Sequence, residues 1–253
     1  MKVSIITSCF NREATIENAI LSVLKQNYSD IEYIIVDGAS RDSSLSIINK
    51  YKEHISTIIS EPDHGMYEAI NKGIRQATGD IIGLVHSDDL LYSNKTISHI
   101  VKAFKETQAD IVYGNGIFVS SNNTTNIIRN WISGPFDKKK IKRGWLPLHP
   151  TVYIKKECIK KSGLYNENYK IAADSDFLIR YLYENNFKVH YLNEYIIKMR
   201  MGGLSTTPSK MKEKWDEDLR LYKSHGFSPY CTLIQKILSK IPQFISAKTA
   251  NNK

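Results

Sequence analysis

The chain has 253 residues, 42% of them hydrophobic and 24% charged, and its 35 basic and 26 acidic residues give a formal net charge of +9. A chain of this length and apolar content can bury a substantial core, which excludes an extended or disordered protein. No run of about 18 apolar residues occurs, so the sequence predicts no membrane-spanning helix. Cys9, Cys158 and Cys231 lack metal-ligand spacing, which predicts reduced thiols in a cytosolic protein.

The first third of the chain alternates between strand-like and helical patterns. Apolar strand-like runs cover residues 3–7, 33–36, 57–59 and 80–85. Helical periodicity covers residues 15–26, 45–51 and 66–77. Repeated β-α units of this length predict an α/β fold with a mostly parallel central sheet and helices on both faces. The polar residues that follow the strands should then share one edge of the sheet, where open α/β sheets bind their ligands.

The fourth strand-like run is followed at once by residues 86–89, His-Ser-Asp-Asp. A buried strand at this point places Asp88 and Asp89 at the ligand-binding edge of the sheet. Two carboxylates in that position can hold a hard divalent cation against the phosphates of a substrate. An Asp after a strand is also a common helix N-cap or turn residue, so the local sequence leaves both interpretations open.

The positive charge is concentrated in residues 138–143, and no acidic residue follows Asp218. Residues 230–245 carry apolar side chains at helical spacing among lysines, which predicts an amphipathic helix lying on an anionic membrane. A helix packed on its own domain or on a partner subunit has the same pattern. We predict a domain at residues 1–215 and a basic helical tail at residues 216–253. No nucleic-acid partner is expected, because no nucleic-acid-binding motif accompanies the charge.

Five segments, taken in order, resemble the family 2 glycosyltransferases. They are residues 3–7 (Val-Ser-Ile-Ile-Thr), 34–42 (Ile-Ile-Val-Asp-Gly-Ala-Ser-Arg-Asp), 61–74 (Glu-Pro-Asp-His-Gly-Met-Tyr-Glu-Ala-Ile-Asn-Lys-Gly-Ile), 77–80 (Ala-Thr-Gly-Asp) and 86–89. The similarity, which extends to about Ser205, implies a GT-A fold, a nucleotide-sugar donor with UDP favoured, an Mg²⁺ or Mn²⁺ ion, and inversion at the anomeric carbon. The expected enzyme transfers a sugar to a hydroxyl of a polysaccharide or lipid-linked oligosaccharide, in the cytosol at the inner membrane face.

The resemblance also implies which residues surround the nucleotide. By position, Thr7 and Asp37 correspond to residues that contact the base and ribose, and Asp63 and Asn71 correspond to the second wall of that pocket. A carboxylate at a strand end can accept hydrogen bonds from a base N–H or from ribose hydroxyls. For Asp37, a role as a turn residue or cap remains the alternative.

Four further residues complete the expected nucleotide-sugar site. Arg12 and Lys72 offer positive charge to the phosphates, although exposed lysines and arginines are often simply solvated. Ser87 lies within residues 86–89, the acidic turn that follows the fourth strand-like run. Arg200 precedes Gly202 and Gly203, a pair that permits a loop to close over the donor but is equally typical of a surface hairpin.

The metal motif of the family is usually Asp-x-Asp, whereas this chain has His86-Ser87-Asp88. Asp88 is therefore the expected metal ligand, and Mg²⁺ or Mn²⁺ held there would bridge the diphosphate. A structural role is expected for His86, because imidazole suits hard cations less well than carboxylate does. Asp89 is expected to support the metal ligand or to cap a helix.

Residues 173–176, Ala-Asp-Ser-Asp, resemble the Glu-Asp-x-Asp stretch of the family. This alignment makes Asp174 the general base, which takes the proton of the acceptor hydroxyl as that oxygen attacks the anomeric carbon. Asp176 is expected to play a structural role instead, because acids are favoured in the first turn of a helix. Ala173 replaces the preceding Glu of the family pattern.

Two residues between the acidic turn and the base are candidates for the acceptor side. Trp145 can stack on a sugar ring, and His149 can hydrogen-bond a hydroxyl or the diphosphate, although both residue types also occur as structural side chains. Because His86 and Ala173 depart from the family pattern, a non-catalytic nucleotide-sugar-binding or scaffold protein remains the alternative function.

Overall fold

The computed structural model describes residues 1–202 and 210–239. Nine strands within them form one sheet, numbered here in chain order. They are β1 (Val3–Cys9), β2 (Ile31–Asp37), β3 (Thr57–Ser60), β4 (Ile81–Leu84), β5 (Leu90–Leu91), β6 (Ile111–Val119), β7 (Ile127–Trp131), β8 (Tyr153–Lys155) and β9 (Val189–Arg200). The order across the sheet is β3-β2-β1-β4-β8-β6-β9-β5, and β7 pairs with β6.

The α-helices of the described residues are numbered in the same way. They are α1 (Ile16–Leu24), α2 (Ser44–Lys50), α3 (Met66–Gln76), α4 (Thr96–Thr107), α5 (Lys138–Ile141), α6 (Lys156–Ser162), α7 (Ala173–Ile179), α8 (Met211–Ser224) and α9 (Pro229–Leu238). None of these helices is both long and apolar enough to cross a bilayer.

Strands β1 to β4 pair only in parallel with one another, as the repeated β-α pattern predicts. Beyond β4 the sheet is mixed, because β8 is antiparallel to both β4 and β6, whereas β6 and β9 are parallel. Parallel pairs need crossover connections, which brings the polar carboxyl ends of β1, β2 and β4 to one edge. The molecule therefore has the predicted α/β architecture.

Side chains alternate between the two faces of the parallel strands, and each face has its own core. In β2, Ile34 and Val36 pack in one buried cluster with Ile70 of α3. Tyr33 and Ile35 point to the other face and pack in a second cluster with α1 and α4. A strand buried on both faces is typical of a parallel sheet covered by helices on both sides.

Helices α8 and α9 pack against each other, and α8 contacts the segment before α7 through Glu217. The predicted boundary after residue 215 falls inside α8. The predicted helix at residues 230–245 is present from Pro229 to Leu238, and its last residues lie outside the described part of the chain. The side chains that α9 buries most deeply are Thr232 and Lys236, so part of its apolar stripe faces away from the domain.

Candidate active site

A cavity of about 1010 Å³ opens at the carboxyl ends of β1 and β4. Its wall includes residues 8–12 after β1, residues 86–89 after β4, the loop at 144–150, and the start of α7. Segments of β7, α8 and α9 close the wall on another side. This volume is at the upper end of the range for small-molecule sites, and the cavity is at the sheet edge where α/β folds bind ligands.

The acidic turn after β4 is held by the backbone and by an arginine. The N–H of Asp89 donates to the carbonyl of His86 at 3.0 Å, and Nη1 of Arg200 donates to the carbonyl of Asp88 at 2.7 Å. Arg200 thus connects the end of β9 to the turn that carries the predicted metal ligand. Asp88 lines the cavity and is half-buried.

Asp89 is 2% exposed, and within the described residues its Oδ2 atom has no hydrogen-bond partner. Burial, reinforced by the neighbouring charge of Asp88, raises the pKa of Asp89 well above its usual range. Two adjacent carboxylates with an orphaned oxygen fit a hard divalent cation, which would relieve both the repulsion and the missing bond. Residues 1–202 and 210–239 contain no cluster of three or more metal-ligating side chains, so the remaining ligands would come from phosphates and water.

Asp174 lines the same cavity from the first turn of α7, and its Oδ1 accepts a hydrogen bond from the N–H of Ser175 at 2.7 Å. The charges of Asp88 and Asp174 both act on the imidazole of His86. Burial nevertheless outweighs them and lowers the pKa of His86, which keeps the ring neutral at pH 7. The two carboxylates, 86 positions apart in the sequence, therefore line one cavity, and both lie within electrostatic range of the same neutral histidine.

Asp176 points away from this cavity and holds α7 in place. It is 5% exposed, accepts a hydrogen bond from Nε of Arg180 at 2.8 Å and lies 3.2 Å from Nε2 of His225. Burial raises the pKa of Asp176, but the hydrogen bonds from His225 and Arg180 outweigh burial and lower it. The carboxylate therefore stays charged and is engaged in an ion-pair network.

Glu217 of α8 supports the segment before Asp174, and the sequence interpretation missed it. Its carboxylate is 3% exposed and accepts hydrogen bonds from the backbone N–H groups of Lys170 at 2.9 Å, Ile171 at 2.8 Å and Ala172 at 2.9 Å. These bonds fix the segment immediately before Asp174. The available signal was that Glu217 shares a helix face with Leu221, where a solvated acid is not expected.

His149 lies on the cavity wall, where Nε2 is 2.7 Å from the hydroxyl of Tyr165. The indole of Trp145 also lines the cavity, while its Nε1 donates to the carbonyl of Ser133 at 3.2 Å and its ring meets Tyr113 edge-on at 6.1 Å. Both residues are anchored by protein contacts and still present a surface to a ligand.

Lowering the pH is expected to destabilise the protein through His149. Burial lowers the pKa of His149 to about 4, whereas an unfolded histidine has a pKa of about 6.5. The unfolded chain therefore binds a proton between these values that the folded chain does not. The stability contributed by the neutral ring is complete above about pH 6.5 and is lost as the pH falls toward 4.

Replacing His149 by Gln, which retains a donor for Tyr165, removes this contribution. In chemical unfolding across that pH window, the free energy of unfolding of the wild type should fall more steeply than that of the variant, by up to about 1.4 kcal/mol per pH unit. Parallel curves for the two proteins would contradict the assignment.

Among the predicted nucleotide-sugar residues, Arg12, Asp63, Ser87 and Arg200 line the cavity. Asp63 approaches the end of β2 closely, because a Cβ atom at Gly38 would lie 2.4 Å from its Oδ2. Burial raises the pKa of Asp63. These four side chains form a mixed polar surface near the acidic turn.

Thr7 and Asp37 lie behind the cavity wall rather than on it. Both are 0% exposed. The hydroxyl of Thr7 donates to the carbonyl of Val85 at 2.6 Å. The carboxylate of Asp37 accepts hydrogen bonds from the hydroxyls of Ser40 and Ser60 and from the N–H of Ser40. These bonds hold the strand ends together.

Asn71 and Lys72 also lie outside the cavity lining. Asn71 is 1% exposed, donates to the carbonyl of Tyr165 at 2.9 Å and accepts from its N–H at 2.9 Å. Lys72 pairs with Glu61 at 2.8 Å and with Glu68 at 3.1 Å. Their polar groups are occupied by the protein itself, so in this structure they support the fold around the site.

Phe10 is a second residue that the sequence interpretation missed. Its ring is 53% exposed and lines the cavity close to Arg12 and Asp63. An exposed aromatic ring is a stacking surface for a planar group. The signal in the sequence was its position in the polar tip after β1, where an apolar aromatic residue is unusual.

The chain matches the model of "Glycosyl transferase family 2" over residues 4–161. A PGL/p-HBAD biosynthesis glycosyltransferase of Mycobacterium tuberculosis is 29% identical over 209 residues, which cover 81% of this chain and 79% of that protein. An uncharacterized glycosyltransferase of Rickettsia typhi is 28% identical over 217 residues, which cover 83% of this chain and 67% of that protein.

Solved structures share the fold. TarS of S. aureus in complex with UDP-GlcNAc is 19% identical, with a TM-score of 0.69 over 87% of this chain. The match spans 65% of that fragment and 39% of a longer TarS chain. A mannosyltransferase from Pyrobaculum calidifontis, in complex with GDP-Man and Mn²⁺, is 16% identical, with a TM-score of 0.67 over 98% of this chain and 74% of that one.

Proposed function

Because the chain belongs to glycosyl transferase family 2, it is a glycosyltransferase, and we propose that it moves a sugar from a UDP-sugar to an acceptor hydroxyl with inversion. The observation that carries this proposal is the convergence of Asp88 and Asp174 on one cavity, with His86 beside both. The structural neighbours that hold UDP-GlcNAc or GDP-Man support a nucleotide-diphosphate donor, and UDP is the favoured nucleotide.

The geometry assigns roles around the donor. The exposed ring of Phe10 offers a stacking surface for the base, and Asp63 offers a carboxyl group for hydrogen bonds to it or to the ribose. Arg12 lines the cavity, and no carboxylate of the described residues lies within 4.0 Å of it, which leaves the guanidinium for the phosphates. Arg200 positions the acidic turn through the carbonyl of Asp88, and Ser87 lines the cavity from that turn.

A divalent cation, Mg²⁺ or Mn²⁺, would be held by Asp88 with support from Asp89. When bound, it supplies positive charge that offsets the charge developing on the leaving diphosphate. The single displacement then needs a base on the other side of the sugar, and Asp174 takes the proton from the acceptor hydroxyl. Glu217 keeps Asp174 in position through the backbone of residues 170–172.

The test has a binding step and a turnover step. UDP with Mn²⁺ should raise the melting temperature, because a ligand that binds only the folded state stabilises it by about 2.7 kcal/mol at a hundredfold excess over Kd. UDP-GlcNAc and other UDP-sugars should release UDP on addition of a saccharide acceptor, and NMR of the product should show an inverted anomeric centre. Binding without release would overturn the catalytic proposal and favour a nucleotide-sugar-binding or scaffold role.

We further propose that the protein works in the cytosol, at the inner membrane face, on a polysaccharide or lipid-linked acceptor. Helix α9 exposes apolar side chains along one face. They are Tyr230, Ile234, Ile237 and Leu238, which are 71%, 57%, 44% and 57% exposed. The basic segment at 138–143 is directly adjacent, because the hydroxyl of Thr232 donates to the carbonyl of Lys142 at 2.9 Å. An apolar helix face beside exposed basic residues is complementary to an anionic lipid surface.

Replacing both Ile234 and Leu238 by Ser should reduce sedimentation with phosphatidylglycerol vesicles several-fold. Substitutions are preferable to deletion of α9, because that helix also carries the buried Lys236. Replacing Tyr92 by Ser provides the control. Tyr92 directly follows β5, its side chain is 39% exposed, and its replacement should leave partitioning unchanged. Equal partitioning of all three proteins would count against the membrane surface.

A further inference from the structure

One wall of the cavity is built from basic side chains that no predicted role accounts for. Arg129 comes from β7, Lys214 from α8 and Lys236 from α9. One strand and two consecutive helices thus bring three cations to the same cavity. Arg12 follows β1 and Arg200 ends β9, so the three cations of this basic wall come from other elements than these two arginines.

Arg129 and Lys236 are each 8% exposed, which is costly for charged groups unless something compensates them. Nζ of Lys236 lies 2.8 and 2.9 Å from the two carboxylate oxygens of Asp218, a residue that is itself 1% exposed. The guanidinium carbon of Arg129 lies 4.5 Å from the ring centre of Trp131, a cation–π contact. Burial lowers the pKa of Arg129 to about 10.

Lys236 and Arg129 both act electrostatically on Lys214. The pKa of Lys214 is lowered by burial first and then by the charge of Lys236, and Arg129 lowers it further. The charges of Asp218 and Asp174 act on Lys214 in the opposite direction. Asp174 also raises the pKa of Lys236, so the candidate base is within electrostatic range of this wall. An anion bound among these side chains would relieve their mutual repulsion.

We propose that Arg129, Lys214 and Lys236 form a subsite for a negatively charged group, a carboxylate or phosphate, on the acceptor saccharide. This inference rests on the proposed glycosyl transfer, because it places the charged group next to the hydroxyl that reacts at Asp174. Arginine provides planar paired donors and lysine a compact charge, which together suit either kind of anion. The subsite selects an acidic acceptor and orients it.

The experiment uses three matched probes, hexyl β-glucuronide, the 6-phosphate of hexyl β-glucoside, and neutral hexyl β-glucoside. Titration calorimetry on the full chain, with UDP and Mn²⁺ and again without them, gives the Kd of each probe. At least one charged probe should bind about tenfold more tightly than the neutral one, and the preference should weaken with added salt. Which charged probe binds more tightly identifies the carboxylate or the phosphate.

Two lysine variants separate charge recognition from packing. Lys214→Gln should abolish the preference and leave the Kd of the neutral probe unchanged. Lys212→Gln changes an exposed lysine of the same helix that does not line the cavity, and it should keep the preference. In turnover, Lys214→Gln should raise KM for the charged acceptor far more than it lowers kcat.

Equal Kd values for the three probes would overturn the subsite, and so would an equal loss of charged and neutral binding in Lys214→Gln. Competition by dihexanoyl-phosphatidylglycerol, without any preference among the saccharides, would assign the wall to a lipid headgroup and overturn the saccharide assignment. The proposed transferase function fails separately, if UDP neither stabilises the protein nor is released from UDP-sugars. The measurement without nucleotide still decides the subsite in that case.

Discussion

Replacing Asp174 by Asn should lower the rate of sugar transfer by about 10²- to 10⁴-fold, the usual contribution of a general base. The amide keeps the size of the side chain and can still accept the hydrogen bond from Ser175, but it cannot take a proton. The affinity for UDP, measured by thermal stabilisation, should stay the same, because Asp174 lies at the start of α7 rather than among the residues assigned to the nucleotide. Initial rates of UDP release in the presence of acceptor provide the measurement.

The neighbouring Asp176 supplies the control for this result. Asp176→Asn removes a charge that pairs with Arg180 and His225 on the far side of α7, so its main effect should be on stability. If Asp174→Asn retains more than about a tenth of the activity, the base lies elsewhere. A larger loss of activity in Asp176→Asn than in Asp174→Asn, with the fold intact, would exchange the two roles.

Replacing Lys236 by Met should lower the free energy of unfolding by about 3 to 5 kcal/mol, because it leaves the charge of Asp218 buried without its partner. For a protein of this size, that loss corresponds to a fall in melting temperature of about 6 to 20 °C. The two groups are 8% and 1% exposed, so the carboxylate of Asp218 would be left largely desolvated without the ammonium. Thermal and chemical unfolding measure the effect.

A double variant, Lys236→Met with Asp218→Leu, tests the reason for this loss. Replacing both members of a buried pair by apolar side chains is often neutral or stabilising, so the double variant should recover most of the stability lost in the single one. A single variant as stable as the wild type would show that Asp218 is solvated or protonated in the folded protein.

The first third of the fold is readable from the sequence because its signals are local. Strand and helix bounds there differ from the structure by about one or two residues, the normal scatter of element ends. The second half of the sheet depends on pairing between distant segments. Ile111 of β6 aligns with Val189 of β9, and no periodicity within either segment names the other as its partner.

The residues of the site also divide into those that the sequence indicates and those whose partners are distant in the chain. The resemblance points to Asp88 and Asp174, and both line the cavity. Position at a strand end or on a helix does not reveal which group a side chain binds, and the polar groups of Asp37 and Asn71 bond to the protein itself. The amide of Asn71 bonds to Tyr165, a partner 94 positions away. Glu217 was missed because its partners are backbone N–H groups, which have no sequence signature.

The amphipathic pattern at residues 230–245 correctly located a helix but could not identify the face that packs on the domain. The buried face of α9 is set by Lys236 and Thr232, whose partners Asp218 and Lys142 lie in other elements. A pattern of apolar residues is equally consistent with an apolar face packed in the interior and with one lying on a membrane. Here the polar partners turn that face outward.

The bonds from Glu217 to residues 170–172 also bear on the order in which the molecule is made. Ribosomes release the N-terminal part of a chain first, and domains tend to fold as they emerge. A nascent protein that has emerged only through residue 202 carries both carboxylates of the cavity but lacks the acid that fixes the segment before the second one. Partly translated chains are therefore expected to leave nucleotide sugars intact, and catalytic competence should begin only when α8 docks.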